Sequence, residues 1–448
     1  MKLTIKAKKF ILKQIFDIKT YGMGELFRKF FLLIKLLGIV LMDIIAIVPC
    51  IIIRLISPWC IIRIEKLPAS NFGPFIDLPA KYYCKKKLKI NQPKQKCIDL
   101  VYIHYRDKVF NKQIAKMWKR KLNFFSPYLL DPISRVNKLI PGWKIHTLEF
   151  SSGLYGASDR DLNNLFEKYK PILEFTKDEK IYGKQMLEEF GLKNEDKFVC
   201  LVVRDGAYQL KKVPSRYRDW SYHDYRNFNI DNFVLAAEEL AKRGYHVFRM
   251  GSNVEKPFNS KNPKIIDYAN SNLRSDFMDI YLGAKCSFCI STGTGFLSLC
   301  SIFGKPKAMI TVPFAASHTH KENYLLMTKH HILKKEKREL SLSEIFSHGA
   351  AYAFDSKIFE QKGIELVENT PEEIKDLALE AAENFETNKK LTFEDEELQK
   401  TFKNLFTKNY KLLNSIKDLN ADYWRNVHNE IKACYGKKFL RENKNWLR

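Results

Sequence analysis

Five consecutive residues, Ser291-Thr292-Gly293-Thr294-Gly295, set three hydroxyls and two glycines between two structured runs. Ser287 to Ile290 before them has the length of a buried strand. Phe296 to Phe303 after them, stopped by Gly304, has the length of a short helix. Strand, Gly-rich turn and helix in that order leave backbone N–H groups free to hold an anion, most often a phosphate. Glycine lets the backbone approach such a ligand closely, and Ser291, Thr292 and Thr294 offer further donors. An ordinary βα turn of small residues has the same composition, so the turn alone leaves both readings open. It carries neither the Gly-Lys-Ser/Thr of a P-loop nor a GxGxxG.

Cations and aromatics gather at comparable places. Arg204 directly follows the apolar run Phe198 to Val203, which puts its guanidinium at the end of a strand. There it either clamps a diphosphate together with the turn or makes a structural ion pair with Asp205, and the two readings weigh equally. The long loop from Asp205 to Asn229 holds Tyr208, Arg226 and Asn227; a loop of that length is usually functional, and its aromatics can stack a base or a sugar. Arg249-Met250-Gly251 and Pro313-Phe314 close two more strand-like runs. Arg274 precedes Ser275 and Asp276, which open a helix as cap and first-turn acid; it is a second cation for the site or a solvated arginine. A general base has two candidates, Asp77 in the loop after the first strand and Asp205 from the other half of the chain. Cys286-x-x-Cys289 reads as part of a strand with its side chains on opposite faces, hence core and not a zinc or redox pair.

These residues need a scaffold of alternating strands and helices. Cys60 to Ile64, Ile98 to Tyr105 and Trp143 to Phe150 read as strands in the first half, with a helix from Asn111 to Leu122. In the second half, strands at Phe198–Val203, Tyr245–Met250 and Lys307–Val312 alternate with helices at Asp231–Lys242 and Ser275–Ala284. Such alternation predicts an α/β fold with a doubly wound parallel sheet, whose ligands lie beyond the carboxyl ends of the strands. A polar helical region follows, with Thr370 capping Pro371 to Phe385. The composition predicts four regions: 1–57 membrane-associated, 58–195, 196–350, and a helical 351–448.

The chain has 448 residues, a formal charge of +25 and nine scattered cysteines. The charge points to a polyanionic partner; no basic helix with an aromatic platform supports nucleic acid. The cysteines suit a reducing compartment. Residues 1–28 interleave lysines with apolar residues, and Phe30 to Ile56 is almost wholly apolar, broken by Lys35, Asp43, Pro49 and Arg54. Asp43 and Pro49 argue for a segment that lies in the membrane interface or turns back at Pro49, on an anionic membrane surface.

The strings VVRDGAYQL, DYRNFNIDNFVLAAEELAKRGYHVFRMGS and IIDYANSNLRSDFMDIYLGAKCSFCISTGTGF closely resemble a bacterial family assigned as glycosyltransferases and found with surface-polysaccharide genes. NKQIAKMWKR and PCIIIRLISPWCIIRIEKL are similar too, so the likeness spans roughly residues 45 to 385 and is most specific in the RSDF…STGTG block. The resemblance implies a GT-B architecture, two Rossmann-like domains facing across a cleft, with the nucleotide-sugar held by the C-terminal one. It implies a nucleotide-sugar as substrate, no separate cofactor and no obligatory metal; the N-terminal segment and the positive charge fit a lipid-linked glycan acceptor at the cytoplasmic face of the bacterial inner membrane. Arg204-Asp205 is also similar in position to an Arg-containing motif of fucosyltransferases. Where family members commonly carry Gly-His after the first strand, this chain has Gly73-Pro74. The alternative is a non-catalytic sugar- or nucleotide-binding assembly protein of the same fold.

Overall fold

The computed structural model describes residues 2–148, 150, 161, 164–212, 219–312, 323–387, 391–413 and 431–448. Pro313 and Phe314 lie outside them. Contacts divide the chain into two units, one of Met1–Leu67, Pro93–Asp107 and Leu122–Leu148, the other of Pro68–Gln92, Lys108–Lys121 and Glu149–Arg448.

The first unit begins with a 54-residue helix, Lys2–Leu55, broken in its dihedrals only at Gly22. The reversal expected at Pro49 does not occur; the helix runs through it. Proline removes one amide bond from a helix. Here Ala46, Cys50 and Ile53 on either side pack against the helix Pro127–Asn137. Strands β1 (Cys60–Lys66) and β2 (Lys96–Tyr102) pair in parallel with Arg63 opposite Asp99, and the two side chains form a buried ion pair at 2.6 Å. The strand expected at Trp143 to Phe150 is instead a 3-10 turn, Trp143–His146. Gly142 enters it at φ +79°, and His146 fastens it by an Nδ1 contact of 2.9 Å to the Ile62 carbonyl.

The second unit is built on a seven-stranded parallel sheet in the order β12-β8-β7-β6-β3-β4-β5. Its strands are β3 (Phe198–Val202), β4 (His246–Arg249), β5 (Ile265–Ile266), β6 (Phe288–Ser291), β7 (Lys307–Ile310), β8 (Tyr324–Met327) and β12 (Cys434–Tyr435). The central strands are buried on both faces, as unbroken apolar runs such as Phe198–Val202 require. The chain winds outward through β3, β4 and β5, then returns to β6 on the other side of β3 and winds the opposite way. The order therefore reverses between β3 and β6, where a crevice opens in folds of this kind. A small antiparallel sheet, β10-β9-β11, joins β9 (His330–Leu333), β10 (Arg338–Glu339) and β11 (Ile364–Val367).

The region after residue 350 is less helical than its composition predicts, since it supplies β11 and the edge strand β12. Thr370 does cap Pro371–Thr387, in a reciprocal box with Glu373. The Cys286-x-x-Cys289 reading also changes. Cys286 ends the helix Asp276–Lys285, only Cys289 is in β6, and both are buried, Cys286 Sγ donating to the Gly283 carbonyl at 3.5 Å. All nine cysteines are free thiols.

Candidate active site

Where the strand order reverses, the second unit holds a cavity of about 330 Å³, within the range of small-molecule sites. Val202, Val203 and Arg204 reach it from β3, Met250 and Gly251 from β4, and Thr294 to Phe296 from the turn after β6. The start of the helix Phe72–Lys87 closes the opposite side with Asn71 to Pro74.

The glycine-rich turn is fixed from below. The Thr292 N–H donates to the Val202 carbonyl at 3.1 Å, and Thr292 Oγ1 accepts the Arg204 N–H at 2.8 Å, tying the ends of β3 and β6 together. Gly293 sits at φ +80°, where L side chains are strained, and a Cβ there would lie 3.1 Å from Thr311 Oγ1. Gly295 passes so close to Gly73 that a Cβ would stand 2.9 Å from the Gly73 nitrogen. Thr294 Oγ1 accepts the Phe296 N–H at 3.3 Å. Ser291 is fully buried, and its hydroxyl has no partner among the described residues. Of the five turn residues, then, Thr294 and Gly295 line the cavity, while Ser291, Thr292 and Gly293 shape it from behind.

Two guanidinium groups face the cavity. Arg204 donates through Nη1 to the side-chain oxygen of Asn227 and, at 3.4 Å, to the His223 carbonyl. Arg226 donates to the Gly293 carbonyl. Burial first, and the charge of Arg226 second, lower the Arg204 pKa to about 10. Lys329 adds a third cation behind them. It is buried, donates to the Asn227 carbonyl at 2.5 Å, lies 3.8 Å from Glu368, and is lowered to about 8, chiefly by desolvation. Like charges held together in a partly desolvated wall repel one another, and a bound anion relieves that repulsion.

The carboxylates are already engaged. Asp205 accepts the N–H of Ala207 at 3.0 Å and that of Glu255 at 2.9 Å, one on each oxygen, so it organises the loops around the cavity that it lines. Asp279 accepts from Tyr268 Oη at 2.9 Å and Arg274 Nη2 at 2.7 Å, and burial raises it to about 6. Arg274 also donates to the Gly251 carbonyl at 3.0 Å, so it braces the cavity without facing it.

Other candidates lie elsewhere. Asp77 is not on a loop but inside the helix Phe72–Lys87, accepting from Ser298 Oγ at 2.6 Å, and it does not line the cavity. Arg249 is buried in a structural pair with Asp267 at 3.1 Å and a bond to the Lys256 carbonyl. Ser275 caps its helix by accepting the Met278 N–H at 3.1 Å. Asp276 accepts the Lys112 N–H at 2.8 Å, joining that helix to Lys112–Lys119.

Sequence reasoning missed the aromatic wall. Phe72 and Phe110 approach at 5.0 Å between ring centroids, Phe110 and Tyr208 at 5.7 Å, and Phe72 and Phe296 at 6.2 Å. Tyr208 was legible from its loop; Phe72 and Phe110 stand in segments whose relation to the sheet no local pattern reveals. The lining thus combines guanidinium groups with aromatic rings, chemistry that suits a ligand with an anionic end and a flat ring.

No protein-family model matches the chain, and no curated protein sequence does. Among solved structures it is similar to a glycosyl transferase of family 9 from Veillonella parvula DSM 2008, at 11% identity over 59% of this chain and 85% of that one, with a TM-score of 0.35. It is also similar to the E. coli ADP-heptose lps heptosyltransferase II, at 13% identity over 56% of this chain and 84% of that one, with a TM-score of 0.30. At these scores the likeness says nothing of chemistry.

Proposed function

We propose that the protein is a glycosyltransferase of GT-B type that moves a sugar from a nucleotide-sugar to a lipid-linked glycan in bacterial surface-polysaccharide synthesis, at the cytoplasmic face of the inner membrane. The observation that carries this is that Arg204 and Arg226 line one cavity together with Phe72, Phe110 and Tyr208. A nucleoside diphosphate fits this lining, with its base on the aromatics and its phosphates on the guanidiniums. In the transfer the sugar–phosphate bond breaks and negative charge collects on the departing diphosphate. Preorganised cations at that point lower the barrier, without a metal in this reading. The resemblance in the RSDF…STGTG block supports the sugar as the group transferred and the glycan as acceptor.

A sugar- or nucleotide-binding protein that does not turn over is the second reading. One observation favours it: both carboxylates of the cavity, Asp205 and Asp279, are held by other donors.

The test is a thermal-shift screen of the purified protein against UDP, GDP, CMP and their sugars, repeated with Arg204→Ala. Stabilisation by one nucleotide, lost in the variant, is expected; a shift of equal size in both proteins would remove the arginine clamp from the reading. Hydrolysis or transfer from the stabilising donor then separates enzyme from binding protein.

A further inference from the structure

Within the first unit, the last third of the long helix has two unlike sides. One side packs on the helix Pro127–Asn137 through Ala46, Cys50 and Ile53. The other presents Ile44, Ile45, Ile47, Val48, Ile51 and Ile52, all exposed. Its single acid, Asp43, is held by Arg135 of the neighbouring helix, Nη2 to Oδ1 at 2.6 Å and Nε to Oδ1 at 3.1 Å. Arg135 also pairs with Asp131, which accepts from Tyr102 Oη at 3.1 Å. Arg54 is tied in the same way, to the Asn137 side chain at 2.6 Å and to the Cys50 carbonyl at 3.1 Å.

The geometry points to the helix Pro127–Asn137 as a second membrane-inserted element, carried into lipid beside the long helix. The inference rests on the membrane reading above and extends it to a part of the chain with no hydrophobic span of its own. Gly22–Leu55 is long and apolar enough to cross a membrane, and its 34 residues reach about 50 Å against a hydrocarbon core of about 30 Å. Apolar exposure does not stop at Asp43 but continues to Leu55. The stretch packed on Pro127–Asn137 therefore has lipid on its other flank, and a helix at its side and at its depth shares that environment. An unpaired acid there would be costly, and pairing with Arg135 removes the cost.

The partner helix is built to match. Its polar residues Asp131, Ser134 and Asn137 are buried, whereas Tyr128 and Leu129 point outward. Just beyond it Leu139 is 82% exposed, and Ile145 is exposed too. Lys138 and Lys144 stand beside these last two and are exposed, as anionic head groups would require. A second copy of the chain is the weaker occupant. Phe30, Phe31, Leu32, Leu33 and Ile34 are exposed in succession, all around the helix, and a protein partner would cover one stripe where hydrocarbon covers every side.

The test places a fluorescent NBD probe on Leu129→Cys or Leu139→Cys in the full chain, with Cys60, Cys97 and Cys434 replaced by serine. The protein is bound to phosphatidylethanolamine–phosphatidylglycerol vesicles carrying acyl-chain nitroxides, and Ile181→Cys, exposed on the second unit, is the control. Quenching severalfold stronger at 129 and 139 than at 181 is expected. Quenching no stronger than at 181, with the protein on the vesicles, overturns the inference and leaves the membrane reading standing. Failure of the full chain to float with vesicles overturns both. Arg135→Leu is expected to make the protein extractable by alkaline carbonate, and Asp43→Leu added to it is expected to restore resistance. An equally extractable double variant would mean that the pair serves the folded unit only.

Discussion

Arg204 and Arg226 bring two guanidinium groups into the lining of one cavity. Each is bonded to neutral oxygens, a side-chain amide or a carbonyl, and each sits within the field of the other. Arg226→Ala is therefore expected to weaken nucleoside-diphosphate binding by about 10–100-fold, the worth of a charge-assisted bond of about 1.5–3 kcal/mol, as titration calorimetry would read. An unchanged affinity would take Arg226 out of the site. Asp279 makes a separate prediction. Its folded pKa of about 6 lies above the ordinary carboxylate value, so the native state holds the proton more tightly. That contribution is present below about pH 4 and is lost as the pH rises through 6, about 2–3 kcal/mol in all. Urea denaturation should show wild type losing stability relative to Asp279→Asn across that window and no further change above it. A parallel pH dependence in the two proteins would contradict the assignment.

At the scale of elements, the crossing of the glycine turn over the helix Phe72–Lys87 sets the shape of the cavity. The two glycines at that crossing are not equivalent. Gly295→Ala would drive a Cβ to 2.9 Å from a backbone nitrogen and is expected to cost about 1–3 kcal/mol. A Cβ on Gly73 would meet nothing nearer than 3.4 Å, so Gly73→Ala in the first helical turn is expected to be neutral or stabilising by up to about 1 kcal/mol. Melting temperatures that fall equally in both would contradict this picture of the crossing. The turn, Arg204, Tyr208 and Arg226 were legible because a buried strand followed by punctuation announces its own carboxyl end. Asp77 and Arg249 were misplaced for the opposite reason. A helix starting at Phe72 carries Pro74 and Pro79 and reads as a loop, and a charged residue ending a strand can turn inward to a partner distant in sequence, as Arg249 does to Asp267. Strands of two residues such as β12 have no period to read at all.

For the whole molecule, the boundary between the exposed apolar run and the packed body falls inside one helix. Ala46, Cys50 and Ile53 belong to the core of the first unit, and Asp43 neutralises Arg135. A chain lacking residues 1–42 is expected to fold and remain soluble in mild detergent, with a single thermal transition close to that of the full chain. A chain lacking residues 1–56 would leave Ile133 and Val136 uncovered and is expected to aggregate. Equal behaviour of the two in size-exclusion chromatography would move the boundary.

The strand that seals the sheet edge is the last to be made among the described strands. β8 begins at residue 324 and its neighbour β12 at residue 434, a difference of 110 residues. At roughly 5–20 residues per second, synthesis of that interval takes about 5–20 s. Throughout it the backbone amides of β8 on that side await their partner, a template for pairing with another chain. Tyr435, whose hydroxyl accepts the Thr328 N–H at 3.1 Å, and Phe439 and Trp446, whose rings lie tilted against Tyr435, come only after that interval. The protein is thus vulnerable as a nascent chain in a way its finished form conceals. A stop or a stalled ribosome between β8 and β12 would produce an open-edged, aggregation-prone species.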